Sequence, residues 1–277
     1  MATLWSSGFW SSGLVLVGVA LVGCPRSTPQ NKAPEETLLV FAAASLREAL
    51  SAMEPAFAAA HPAVEVTFNF VGTQELRTQL EHGAAADVFA SADQRHMQAL
   101  FAAARVEEPV VFARNQPVVV VAEEKAVDIQ RFEDLISARR IVIGRPEVPI
   151  GRYTDQILEG AAKILGPRWA LALEKSVVSR ELNVRQVLAK VTLGEAQAGI
   201  VYKTDARAAG NTVAVVEIPE AINVVAEYTL AIVRDAPHPR LARAFVDLVL
   251  SPAGQRALTE AGFAPAPAPA AAGEGER

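Results

Sequence analysis

Cysteine occurs once in the 277 residues, at Cys24. No internal disulfide and no thiolate metal cluster can therefore form. Histidine is nearly as scarce, and His61, His82, His96 and His238 show no metal-ligand spacing. Capping or surface roles are expected for all four. Basic residues are outnumbered, 26 Lys and Arg against 31 Asp and Glu, for a net charge of −5. That balance lacks the basic stripe a nucleic-acid partner needs. The catalytic signatures G-x-S-x-G, H-E-x-x-H, G-x-G-x-x-G and the P-loop are all missing, so no enzyme and no cofactor is expected. Aromatics make up only 6% of the chain, yet hydrophobic residues reach 51%, with Ala and Val prominent. That is ample for one large domain or two ordinary ones.

The position of Cys24 carries more information than its number. It follows the apolar run 14–23, LVLVGVALVG. Ten residues are too few to span a bilayer, which takes about 20, but they suit the apolar region of an export signal. Leu21-Val22-Gly23-Cys24 resembles the bacterial lipobox, in which a small residue precedes a Cys that is lipidated and becomes the mature N-terminus. Residues 1–13 carry no Lys or Arg, a departure from the usual basic start of such signals. The resemblance implies a signal peptide over 1–23, lipidation at Cys24 and a chain held to the membrane by lipid alone. Residues 24–36, rich in Pro and polar side chains, are expected to form a flexible tether. The Pro/Ala/Gly run 264–277 is expected to be a disordered tail.

Between these ends the pattern alternates. Residues 38–41 form a short apolar run, 45–60 carry a helical stripe, and 64–70 alternate as a strand does. A helix is expected over 73–81, a strand over 87–90 and a helix over 93–104. A second cycle begins near Pro117, with strands at 118–121, 141–144, 176–179, 199–202 and 213–218. Helices are expected at 131–136, 153–165, 169–174 and 183–193, then an extended stretch at 224–233 and a helix at 238–250. Such βαβ order implies parallel sheets with helices on their faces. Extended crossings near 114–118 and 223–227 suggest two hinged lobes, the first built from both chain ends.

In open α/β folds ligands sit at the carboxyl ends of strands, and helix N-termini there offer free N–H groups and a partial positive charge suited to anions. Two segments fit. Ser45 opens a helix, and Glu48 three residues on suggests a capping box. Gly72 and Thr73 follow a strand, Gly72 giving backbone freedom and Thr73 an N-cap hydroxyl. Capping alone would also explain both.

Four separated motifs then share one resemblance. VFAAASLREA at 40–49, ADVFASAD at 86–93, VRQVLAKVTLGEAQAGIVYKTDA at 184–206 and AGF at 261–263 resemble, in order, the molybdate-binding components of ABC importers, within the type II periplasmic binding proteins. The resemblance spans about 38–263. It implies an α/β, two-lobed fold, each lobe a mixed, mostly parallel sheet flanked by helices, joined by a two-stranded hinge. Residues 37–115 with 225–263 would form lobe I, and 116–224 lobe II.

The resemblance also implies an oxyanion site. Ser45 would give its hydroxyl and N–H, and Thr73 a hydroxyl where the family usually has Ser. Ile150, in the loop 144–151, and Val184, at a helix N-terminus, would give backbone N–H groups, and Tyr202 its phenol. Arg145, Arg152 and Arg185 lie nearby in sequence and are read as surface charges that could steer an anion. A fully deprotonated tetrahedral dianion only accepts hydrogen bonds, so neutral donors suffice. A protonated phosphate would need an acceptor, and none of these positions is acidic, though Glu147 is close in sequence. The implied function is capture of molybdate or tungstate in the cell envelope, by a monomer serving a membrane permease. The alternatives are a sulfate, thiosulfate or other oxyanion binder, an enzyme reusing the fold, and a structural or adhesive lipoprotein.

Overall fold

The run ETLLVFAA forms strand β1 (Glu36–Ala43) because its side chains are buried on both sides. The computed structural model describes residues 36–126 and 128–266. The expected signal peptide, Cys24, the tether up to residue 35 and the tail from residue 267 lie outside the described residues. Glu36, assigned to the tether, pairs with Val64 as part of β1.

After β1 the chain makes a 3-10 turn (Ala44–Leu46) and two short helices, α1 (Arg47–Ser51) and α2 (Glu54–Ala60). The single helix expected over 45–60 is thus broken. Pro55 sits in the first turn of α2 and has no N–H to continue the helix before it. Then come β2 (Val64–Val71), α3 (Thr73–Glu81), β3 (Val88–Ser91), α4 (Gln94–Ala102) and β4 (Val110–Asn115). One residue, Gln116, separates β4 from β5 (Pro117–Ala122). A 3-10 stretch (Phe132–Ser137) leads to β6 (Ile141–Gly144), α5 (Pro149–Leu165), α6 (Pro167–Ser176), β7 (Val177–Glu181) and α7 (Val184–Thr192). The chain continues through β8 (Ala198–Tyr202), α8 (Lys203–Ala209), β9 (Val213–Val216), β10 (Ala226–Ile232), α9 (Pro239–Leu250), α10 (Pro252–Glu260) and β11 (Ala264–Pro265).

Among the described residues these strands build two sheets, ordered β11-β4-β10-β3-β1-β2 and β7-β6-β8-β5-β9. The expectation of mostly parallel sheets needs correcting. β1 pairs in parallel with β2 and β3, and β6 with β7 and β8. The remaining pairings, β10 with β3 and β4, β11 with β4, and β5 with β8 and β9, are antiparallel. The strands that carry the chain between the sheets re-enter against the direction of the βαβ units. β11 also places Ala264 and Pro265 opposite Arg114 and Ala113, so the first residues assigned to the disordered tail belong to a sheet.

Helices cover both faces of the first sheet. Leu38, Val40 and Ala42 face a core with Leu46, Leu50 and Phe57, while Phe41 faces a second cluster with Leu76, Leu80, Phe89, Met97 and Leu100. This alternation along β1 follows from the period of two in a strand. In the second sheet, β5 is buried along its whole length as PVVVVA. The two crossings lie side by side: Asn223 Nδ2 donates to Pro117 O at 3.1 Å, and Asn115 pairs with Ala226. No helix among the described residues is long and apolar enough to cross a membrane.

Candidate functional site

The carboxyl ends of the parallel strands of both sheets converge on one cavity. The chain leaving β1 contributes Ala43, Ala44 and Ser45, and that leaving β2 contributes Val71, Gly72 and Thr73. Ala92 follows β3; Val148, Pro149 and Ile150 follow β6; Asn183 and Val184 follow β7; and Tyr202 ends β8. The cavity volume is about 20 Å³, far below the 300 Å³ or so at which sites for drug-sized ligands begin and fit only for a small ion. All five residues singled out from the sequence, Ser45, Thr73, Ile150, Val184 and Tyr202, line this cavity.

Each reaches it through local structure. Ser45 lies in the 3-10 turn after β1 and is 2% exposed. The capping box with Glu48 does not form: no side chain caps this turn or α1. Ser45 Oγ instead lies 2.8 Å from Tyr228 Oη, and Glu48 reaches across to Arg185. Thr73 is the first residue of α3 rather than its cap, since Gly72 holds the cap position. Its hydroxyl accepts from Ala92 N at 3.2 Å, which leaves the hydroxyl proton to donate elsewhere.

Ile150 was expected in a loop and a helix only from 153, but α5 starts at Pro149. Proline suits a first helical position, where its fixed φ is helical and its missing N–H has no intrahelical partner to lose. Ile150 then carries the first N–H of a 17-residue helix, on the positive end of its dipole. Gly151 follows because nothing larger fits: a Cβ there would lie 1.9 Å from Arg145 O. Val184 opens α7, and the side chain of Asn183 before it accepts from Gln186 N at 3.1 Å. That cap satisfies a deeper amide and leaves the Val184 N–H at the mouth of the helix. Tyr202 is 1% exposed, and its hydroxyl has no hydrogen-bond partner among the described residues. Burial pushes its pKa well above the usual tyrosine value, so it stays a neutral donor.

No acidic, basic, His or Cys side chain lines the cavity among the described residues. Glu147 is exposed, and only its backbone oxygen is used, accepting from His96 Nε2 at 2.9 Å. The arginines need a correction. Arg145 is exposed, but Arg152 and Arg185 are committed to ion pairs across the cleft. Arg152 Nη2 meets the buried Asp93 at 3.2 Å. Arg185 meets Glu48 across the cleft through Nη2 and Asp205 of its own lobe through Nε at 2.9 Å. Gln74 Nε2 donates to Leu182 O at 2.6 Å, also from one lobe to the other. The positive charges therefore hold the lobes together outside the cavity, and the cavity itself offers neutral donors.

Several contributors were not found from the sequence. Tyr228 holds Ser45 from β10, and the Ala92 amide holds Thr73. A buried tyrosine needs a partner for its hydroxyl, which was the one signal available for Tyr228. A backbone amide such as that of Ala92 leaves no sequence signal.

The family of bacterial extracellular solute-binding proteins matches residues 38–264. The molybdate-binding protein ModA of Mycobacterium tuberculosis is 40% identical over 230 residues, covering 82% of this chain and 84% of the relative. The structure of the Azotobacter vinelandii periplasmic molybdate-binding protein superposes with a TM-score of 0.71 at 18% identity, over 82% of this chain and 98% of that one. The sulfate-binding protein SubI of M. tuberculosis gives 0.72, also at 18% identity, over 84% and 88%. At such identity the two structures establish the two-lobed type II binding-protein fold, and since one is named for molybdate and the other for sulfate, the fold does not choose the ion. With a family match over nearly all of the described residues, the chain belongs to the bacterial extracellular solute-binding proteins.

Proposed function

We propose that this protein captures molybdate outside the cytoplasmic membrane and hands it to the permease of an ABC importer. The observation that carries this reading is the convergence of hydroxyls and helix N-termini from both lobes on a small cavity that no charged side chain lines among the described residues. The hydroxyls of Ser45, Thr73 and Tyr202 and the N–H groups of Ser45, Ile150 and Val184 would donate to the oxyanion. A fully ionised dianion accepts from all of them and asks for no acceptor in return. The 40% identity to a protein named for molybdate supports that ion over sulfate. Tungstate, of nearly the same size and charge, would fit the same donors. The ion is cargo, and the reading requires no cofactor. Nor does the cavity lining include a general base or a nucleophile other than hydroxyls, which favours binding over catalysis.

Lipidation at Cys24 would hold the monomer at the membrane surface, and the tether would let it reach the permease. Capture would proceed by closure, since a ligand that bridges both lobes favours the closed state through contacts the open state lacks.

The test is a thermal shift with molybdate, tungstate, sulfate and phosphate side by side. A ligand at about 100 times its Kd adds roughly 2.7 kcal/mol of stability. Molybdate and tungstate are expected to raise the midpoint at micromolar concentration, sulfate only at far higher levels. A shift with phosphate alone would overturn the proposal.

A further inference from the structure

Ser45 Oγ and Tyr228 Oη are 2.8 Å apart and buried. Without an anion either atom could donate, but a hydroxyl has one proton, and an anion that only accepts hydrogen bonds would take that of Ser45. With the cavity filled, Tyr228 is then the donor and Ser45 Oγ the acceptor of their shared bond. Ser45, already accepting, has its own proton free for the cavity it lines.

We propose that Tyr228 is a positioning residue that fixes Ser45 as a donor toward the bound anion. The proposal rests on the cavity being an oxyanion site. It adds a source of specificity: a hydroxyl locked as donor rejects a ligand that brings its own proton, such as hydrogen phosphate. Tyr228 is clamped for this task. Its ring packs edge-on against Phe263 at 5.1 Å, Tyr202 at 5.8 Å and Phe112 at 6.5 Å. Burial keeps its hydroxyl protonated.

The test is a double-mutant cycle on molybdate affinity by calorimetry, using wild type, Ser45→Ala, Tyr228→Phe and the double variant. The phenylalanine ring keeps the packing, and ligand-free thermal midpoints check that each variant folds. Tyr228→Phe is expected to weaken binding about 10-fold, and by less than about 2-fold once Ser45 is already Ala. In the single variant, Ser45 can turn a lone pair inward, so the preference for molybdate over hydrogen phosphate should narrow. Losses that simply multiply, or a Tyr228→Phe protein with unchanged affinity and selectivity, would overturn the positioning role while wild-type molybdate binding upheld the cavity assignment. A wild-type protein that takes up no tetrahedral oxyanion would overturn both.

Discussion

Tyr202 is the side chain on which the site's energetics can be separated most cleanly. Its hydroxyl is buried without a partner among the described residues, and an unpaired buried polar group costs about 1–3 kcal/mol. Tyr202→Phe should therefore raise the stability of the ligand-free protein by about 1 kcal/mol while weakening molybdate binding by about 5- to 150-fold. Thermal denaturation and calorimetry on one preparation would read both, and a variant that loses stability and affinity together would contradict this account. Residues of this kind were partly legible in the sequence. Ser45, Val184 and Tyr202 were found because they lie inside motifs shared with a family, and Thr73 and Ile150 because the resemblance carries roles to positions between those motifs, not because their chemistry stands out; Ile150 and Val184 read alone as core. Tyr228 was not legible, because its partner is 183 positions away and a strand pattern records it only as one more buried ring. The Ser45–Glu48 capping box was a local reading overruled by partners from distant parts of the chain.

At the level of elements, α5 bears the most consequence for the site. Its start at Pro149 brings the Ile150 N–H to the cavity, and its third residue, Gly151, packs against the backbone of Arg145. Gly151→Ala would push a methyl group into a carbonyl that cannot rotate away. A loss of about 1–3 kcal/mol in stability is expected from such overpacking, with weaker molybdate binding as the first turn shifts. Denaturant unfolding and calorimetry would measure the two, and full stability with full affinity would show that the turn is not held as described. Strands such as β5 and β6 were legible because a short, wholly apolar run has few other uses. β4 was missed as a separate strand because Gln116 alone divides it from β5; continuous extended chain gives no sign that it has changed sheets. The early start of α5 was hidden by Pro149 and Gly151, which usually break helices and here begin one.

At the scale of the whole molecule, the two lobes come close at Gly72, where there is no room for a side chain. A Cβ on Gly72 would meet the far end of the Gln74 side chain, which can move, and would lie 2.5 Å from Leu182 O of the other lobe, which cannot, yet the backbone of Gly72, at φ −64° and ψ 139°, suits any residue. Gly72→Ala should thus leave each lobe intact and oppose only their closure. Small-angle scattering with saturating molybdate is expected to give a larger radius of gyration than wild type, and affinity should fall by at least about 10-fold. A compact variant of normal affinity would refute this.

Closure should also depend on pH. His96 Nε2 bonds to Glu147 O across the cleft, and burial lowers the His96 pKa below its ordinary 6.5. Above 6.5 the ring is neutral in both states and costs nothing. As pH falls below 6.5 the open form takes up a proton that the closed form resists, so closure weakens. Asp205 has the opposite sign: burial pushes it up to about 7 from 3.8, so its contribution to folding grows as pH falls through that window. Comparing wild type with His96→Gln, in which the amide can still donate to Glu147 O, isolates the histidine. The wild-type affinity relative to the variant should drop between pH 7.5 and 5.5, and parallel profiles would exclude the effect.

The bonds that hold the jaws together, Arg152 to Asp93, Arg185 to Glu48 and Gln74 to Leu182, are made by the protein with itself and not through the ion. An ion held inside such a clasp would be unable simply to drift out, and its dwell time would be set by how often the clasp lets go. Retention and recognition are thereby separate properties, carried by different residues, and either can be tuned while the other is left alone.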